Sequence, residues 1–227
     1  MLVTAPLALH GGSLAPAAGV LAGETPVVQA PPAPVVENTA VSVRRADLEV
    51  LAEHSVTIVG AVLRSPGAVD RRSPGLAGAS VLLQVRERHR WQTVAGTHAG
   101  LRGRYRLRFV PRHPGSDLVR MRFAGDARDR GSHRLLGILN VFREVGASWY
   151  GGGGSLACGG WLTSSTLGVA NKTLPCGTRV TLRYDGRTVR VPVVDRGPYV
   201  EGREYDLTEA TKRALGFEGV GEVWATA

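Results

Sequence analysis

The chain has 227 residues, 43% hydrophobic but only 6% aromatic, so its folded parts can bury a core built mainly from Val, Leu and Ala. Thirty glycines and thirteen prolines point to turns and β structure over long helices, and no stretch approaches the ~20 uninterrupted apolar residues of a membrane-spanning helix. The net charge of +9 is uneven: Ala46 to Gly146 holds seventeen arginines, no lysine and nine acids, whereas Ala147 onward holds nine Lys/Arg against eight acids.

Met1 to about Ala22 is apolar and rich in Ala, Leu and Gly, with small-residue sites such as Leu14 to Ala18, but it has no basic n-region. The favoured reading of residues 1–22 is a secretory signal whose true start lies upstream; the alternative is a disordered tail. Residues 23–45, with Pro26, Pro31, Pro32 and Pro34, have the composition of a semi-extended linker without a core of its own.

Residues 46–145 read as successive strands. Ser55 to Val62 comes first, then Ser80 to Val85 and Trp91 to Ala95. In Arg104 to Val110 apolar residues alternate with arginines, the period-two pattern of a strand buried on one face. Leu118 to Phe123 repeats it, and Pro111, Pro114-Gly115 and Gly125 supply turns. Strands at this spacing predict an Ig-like β-sandwich. Its arginines read first as a solvated sheet face. Nucleic acid is not expected as a partner, because no recognition helix or stacking motif accompanies them.

From Ala147 the texture changes. Ala147 to Tyr150 is a short strand followed by four glycines, Gly151 to Gly154. Thr178 to Tyr184 and Thr188 to Val194 flank Asp185-Gly186, a strong hairpin signal, and Pro192 suggests an edge or an irregular ladder. Thr208 to Leu215 reads as a helix with Thr208 as N-cap and Gly216 as its stop, and a last strand follows near Glu222 to Thr226. The two cysteines, Cys158 and Cys176, read as one disulfide if the domain is exported, or as two buried thiols; no His or further Cys lies at metal-ligand spacing.

Four motifs in this region occur together and in order: Ala147-Ser148-Trp149-Tyr150-Gly151, Lys172 to Val180, Asp195-Arg196-Gly197-Pro198-Tyr199, and Tyr205-Asp206-Leu207-Thr208. In these residues 147–227 resemble the rare lipoprotein A (RlpA) family. The resemblance implies a six-stranded double-psi β-barrel with short helices, a fold shared with expansins and family-45 endoglucanases; some RlpA members are septal lytic transglycosylases. The expected chain is therefore all-β: an N-terminal Ig-like β-sandwich, then this barrel.

Breaking a glycosidic bond needs a carboxylic acid to protonate the leaving oxygen, and inverting hydrolysis needs a second carboxylate roughly 6.5–9.5 Å away. A lytic transglycosylase can manage with one group that acts as acid and then as base on the muramyl 6-hydroxyl. The resemblance places the RlpA acid at Asp195, while the motif around Asp206 matches the acid position of the endoglucanases and expansins. Each has a plainer reading: Asp195 paired with an arginine to hold its turn, Asp206 satisfying N–H groups at the helix start, which would lower its pKa. Where catalytic family members carry a histidine this chain has Asn171, which can bind a sugar or orient Asp195 but cannot titrate near neutral pH. No carboxylate stands in Ala157 to Leu162, and Gly151 replaces the aspartate that follows Tyr in endoglucanases, so a two-carboxylate hydrolase is not expected.

Asp195, Asp206 and Asn171 are thus the expected catalytic group. Trp149, Tyr150, Gly151, Arg196 and Tyr199, with Trp161, are expected against glycan, although core packing is as good a reading for Trp149 and Tyr150. The expected function is an exported peptidoglycan lytic transglycosylase that needs no cofactor or metal. Its alternatives are an expansin-like module that binds or loosens wall glycan without cutting it, and a structural scaffold. Peptidoglycan strands are the expected partner, with anionic wall polymers a further one for the basic sandwich.

Overall fold

The computed structural model describes residues 36–64 and 74–227. The expected signal segment and most of the expected linker lie outside the described residues. Strands dominate the rest, in keeping with the all-β expectation.

The first eight strands are β1 (Thr39–Ala46), β2 (Glu49–Leu51), β3 (Val56–Arg64), β4 (Ser80–Glu87), β5 (Arg90–His98), β6 (Arg104–Phe109), β7 (Gly115–Gly125) and β8 (Arg130–Tyr150). They form two sheets. One has the order β1-β3-β6, all antiparallel; the other runs β5-β4-β7-β8, with β2 added parallel to β8. The two share one core, in which Ile58, Val62 and Leu107 of the first sheet meet Val81, Val119 and Met121 of the second. Each such side chain contributes about 1.5–3 kcal/mol on burial. The alternation in β6 works as its sequence dictates: Tyr105 and Leu107 are buried, and Arg104, Arg106 and Arg108 face solvent.

β1 falls inside the stretch expected to be linker. Beyond the prolines, Val41 and Val43 restore β-branched alternation, and Val41 is buried in the sandwich core.

The second group comprises β9 (Gly154–Ser155), β10 (Trp161–Leu162), β11 (Val169–Ala170), β12 (Arg179–Tyr184), β13 (Arg187–Asp195), β14 (Tyr205–Thr208), α1 (Glu209–Leu215) and β15 (Gly221–Ala225). Six strands close on themselves in the order β8-β14-β11-β13-β12-β15 and back to β8. The pairs β8–β14 and β11–β13 are parallel; the others are antiparallel. Closure leaves the six-stranded barrel no free edge. Its centre is filled by Val180, Leu182, Val191, Tyr205, Leu207 and Leu215, none more than 1% exposed.

Local signals act as written. Asp185 (φ 44) and Gly186 (φ 76) make the left-handed two-residue turn between β12 and β13. Thr208 caps α1 by accepting from the Thr211 N–H, and Gly216 (φ 70) ends it. Pro192 lies in β13 opposite Arg179, on a strand with neighbours on both sides and therefore not an edge.

Sandwich and barrel run into one another through Arg143 to Gly146 without a linker. β8 is a single 21-residue strand. Its first half pairs with β7 and its second with β15 and β14, so Arg143 to Gly146 form barrel ladder. Sandwich and barrel also touch through Phe142 and Trp224, with ring centroids 5.9 Å apart, through the Ser116–Thr181 hydroxyl pair at 3.2 Å, and through an ion pair between Glu49 and Arg183. Gly146 is required in mid-strand: a Cβ there would lie 2.0 Å from the Gly202 carbonyl oxygen.

Candidate active site

The barrel topology brings the two aspartates to one row. Ala170 of β11 pairs with Asp195 of β13 on one side and with Asp206 of β14 on the other, and Asp206 pairs in turn with Ser148 of β8. Residues paired directly across strands project to the same side of a sheet, and so does a residue two places along. Ala170, Asp206, Ser148 and Tyr150 therefore share one side, and a register shift between Val169 and Ala170 brings Asp195, two places beyond buried Val193, opposite Ala170, close enough for its charge to act on Asp206 and Tyr150. Two strand spacings separate the aspartates, about 10 Å between their backbones. Only the methyl group of Ala170 stands between them in that row.

The two carboxylates are held differently. Asp195 Oδ1 accepts from the Ala157 and Arg196 backbone N–H groups, both at 2.9 Å. Its other oxygen makes no bond of hydrogen-bonding geometry among the described residues. Asp206 Oδ1 accepts from the Ser148 hydroxyl at 2.7 Å. Burial pushes the Asp206 pKa up, and the nearby Asp195 charge pushes it further, against the Ser148 hydrogen bond and Arg203. The helix-start reading of Asp206 does not hold, because Thr208 is the cap and the Asp206 pKa moves the other way.

Tyr150 stands beside both aspartates. Its hydroxyl is buried and makes no bond of hydrogen-bonding geometry among the described residues, although Asp195 lies close enough to act on it. Burial, first, and the two aspartate charges push its pKa up.

The loop carrying Ala157 is pinned on two sides. The Cys158 N–H donates to the Val194 carbonyl (3.2 Å), and Cys158 is bonded to Cys176 in the expected disulfide. The Arg196 side chain is tied into this scaffold. Its guanidinium donates to the Asn171 and Leu174 carbonyls, both at 3.0 Å, and contacts Cys176 Sγ at 3.1 Å. Asn171 is likewise committed: it is 2% exposed, its Oδ1 accepts from the Thr173 and Leu174 N–H groups, and its Nδ2 donates to the Glu204 carbonyl. It shapes the turn after β11. Only its backbone N–H reaches Asp195, at the carbonyl (3.1 Å), so neither expected side-chain role, on sugar or on the aspartate, fits its partners.

The aromatics divide. Tyr199 (80% exposed) and Trp161 (65%) present their rings to solvent, and Trp149 (39%) has the Lys212 ammonium 4.3 Å from its ring centre. Gly151 is exposed beside Trp149. Sequence reasoning missed Ser148 and the Ala157 N–H as partners of the aspartates. Period-two alternation in Ser148-Trp149-Tyr150 carried a signal for Ser148, since it puts Ser148 and Tyr150 on the side opposite Trp149. The Ala157 contact depends on a loop fold that no periodicity encodes.

Residues 143–225 match the family model described as "Lytic transglycolase". Among similar curated proteins, the probable endolytic peptidoglycan transglycosylase RlpA of Synechocystis sp. is 43% identical over 84 residues, 34% of this chain and 26% of that protein. The protein of the same name from Aquifex aeolicus is 44% identical over 75 residues, 31% of this chain and 33% of its own. The endolytic peptidoglycan transglycosylase RlpA of Neisseria meningitidis serogroup A is 38% identical over 86 residues, 35% of this chain and 36% of its own. The chain thus spans about a fifth to two fifths of the length of the curated relatives it matches. Among solved structures, Streptomyces papain inhibitor aligns with 28% identity and a TM-score of 0.31, covering 37% of this chain and 93% of its own. Closed six-stranded topology, the matched family and these relatives agree: residues 143–225 are an RlpA-like double-psi β-barrel.

Proposed function

We propose that this is an exported or cell-envelope peptidoglycan lytic transglycosylase, with the barrel face around Asp195 and Asp206 as its active site. The observation that carries the reading is the shared row of the two aspartates across Ala170, on the strands that hold the family's motifs. The names of the similar proteins supply the substrate class.

On this reading Asp195 acts through Oδ2. Protonated, it donates to the glycosidic oxygen between MurNAc and GlcNAc as the bond to the muramyl C1 breaks. The resulting carboxylate then takes the proton from the muramyl C6 hydroxyl as that oxygen attacks C1. The C1–O6 bond closes the 1,6-anhydro ring, the GlcNAc side leaves as an alcohol, and Asp195 ends protonated again, with no water consumed. The Ala157 and Arg196 N–H groups fix the carboxyl plane through the other oxygen. Asp206 and the Tyr150 hydroxyl border the same space, and the exposed Trp161 and Tyr199 offer flat faces to sugar rings.

A second reading, binding of wall glycan without cleavage, draws on one observation. The family's titratable histidine position is filled by Asn171, a buried amide whose oxygen and nitrogen both bond to backbone. Incubating the full chain with purified peptidoglycan, intact and stripped of stem peptides, separates the two. Anhydromuramyl products in the mass spectrum support the enzyme. Sedimentation with the wall and no soluble product supports the binder.

A further inference from the structure

The outer face of the β1-β3-β6 sheet carries charge that the fold does not neutralise. Arg104, Arg106 and Arg108 alternate along β6 and are all exposed, a rail of cations about 6.8 Å apart. Arg45 of β1 stands across β3 from them: Arg45 pairs with Val59, and Val59 pairs with Arg106. A register shift between Val43 and Arg45 adds Arg44 to the same margin. Between the two margins the floor is low and uncharged, with Thr57, Val59 and Ala61 of β3 opposite Arg108, Arg106 and Arg104. Arg44, Arg45, Arg106, Thr57, Val59 and Asp47 border an open depression of about 540 Å³.

These arginines differ from others in the chain. Arg64, Arg143, Arg183 and Arg213 each meet a carboxylate. Among the described residues none of Arg44, Arg45, Arg104, Arg106 and Arg108 does so. Among the described residues the one acid bordering the depression, Asp47, accepts from the Glu49 N–H at 3.3 Å.

We propose that this trough binds a linear, phosphate-bearing polyol polymer of the cell wall, laid between the two arginine margins. A periodic row of guanidinium groups over an uncharged floor suits a chain of regularly spaced phosphates, each accepting a two-pronged hydrogen bond. Nucleic acid is the poorer fit: the floor holds no aromatic side chain for a base to stack on, and no helix projects from this sheet to enter a groove. The choice of a wall polymer rests on the peptidoglycan reading of the barrel, because such polymers are attached to that glycan.

The test is co-sedimentation of the full chain with purified wall, before and after its phosphodiester polymers are removed with hydrofluoric acid. R45Q/R106Q is compared with R86Q/R90Q, which removes the same charge from exposed positions on the other sheet. The expected result is that wild type and R86Q/R90Q bind the untreated wall about tenfold or more tighter than the stripped wall at low salt. R45Q/R106Q loses that difference while binding stripped wall as wild type does, and high salt abolishes the difference. Equal affinity of wild type for both walls overturns the proposal, and so does an equal loss in the two double variants. Stronger competition from single-stranded DNA than from soluble poly(glycerol phosphate) at matched charge also overturns it. If stripped wall binds neither protein while poly(glycerol phosphate) still distinguishes them, the barrel reading fails and the trough stands.

Discussion

Sandwich and barrel share a strand, yet Asp129 in the one and Asp206 in the other are held in opposite ways. In the sandwich, buried Asp129 meets the Arg64 guanidinium at 2.7 Å, and that hydrogen bond pulls the Asp129 pKa below the ordinary carboxylate value. In the barrel, Asp206 has a serine hydroxyl instead of an arginine, and burial pushes its pKa up. Asp195 has two backbone N–H groups and no arginine side chain. Asp129 is held ionised by its arginine and braces the fold, whereas Asp206, buried with a hydroxyl as its hydrogen-bond partner, is held closer to its protonated form.

The contrast can be broken most forcefully at the disulfide. Cys158 and Cys176 are 18 residues apart, and removing a loop of this size costs about 3 kcal/mol on the chain-entropy account. C158A/C176A should unfold at clearly lower temperature by calorimetry. Because β8 runs through both regions, wild type should show a single cooperative transition. Two separated transitions would mean that the strand does not couple sandwich to barrel.

The two aspartates give a contrast in sign. With its pKa lowered by Arg64, Asp129 contributes stability above the ordinary carboxylate value, and that contribution is lost as pH falls through the lower folded-state pKa. D129N should therefore be less stable than wild type at neutral pH, with the gap closing in acid. Asp206 is raised, so its ionisation costs stability as pH climbs from the ordinary value through the folded-state value. D206N should be at least as stable as wild type at neutral pH, with the difference again fading in acid. Urea unfolding at several pH values measures both, and the same sign for both variants would contradict the comparison. The smallest effect is expected at Arg196: R196Q should lose about 1 kcal/mol through its two carbonyl contacts and retain affinity for glycan. A selective loss of glycan binding at unchanged stability would return Arg196 to the cleft.

What was legible in the chain was what local chemistry decides. Asp185-Gly186 needs left-handed backbone, Thr208 and Gly216 bracket a helix, and the Arg-apolar alternation of β6 admits one buried face. The barrel and its two aspartates were legible through motif resemblance, not periodicity. β8 was not legible as one strand, because its buried residues serve two cores, Leu139 and Val141 that of the sandwich and Val145 and Ala147 that of the barrel. Two glycines also interrupt its apolar pattern: Gly137, at φ 112 beside the register shift in the β7–β8 ladder, and Gly146, under the Gly202 carbonyl. Asn171 and Arg196 look like site residues beside the aspartate. Only the folded loops reveal that their polar atoms already have backbone partners.

The central claim is that Asp195 performs chemistry on glycan at the barrel face. Its most direct test is the mass spectrum of products released from purified peptidoglycan by wild type and D195N side by side. The account predicts anhydromuramyl products from wild type, reduced by at least about a hundredfold in D195N, with both proteins sedimenting equally with the wall. Equal yields of anhydro products from the two proteins would contradict it.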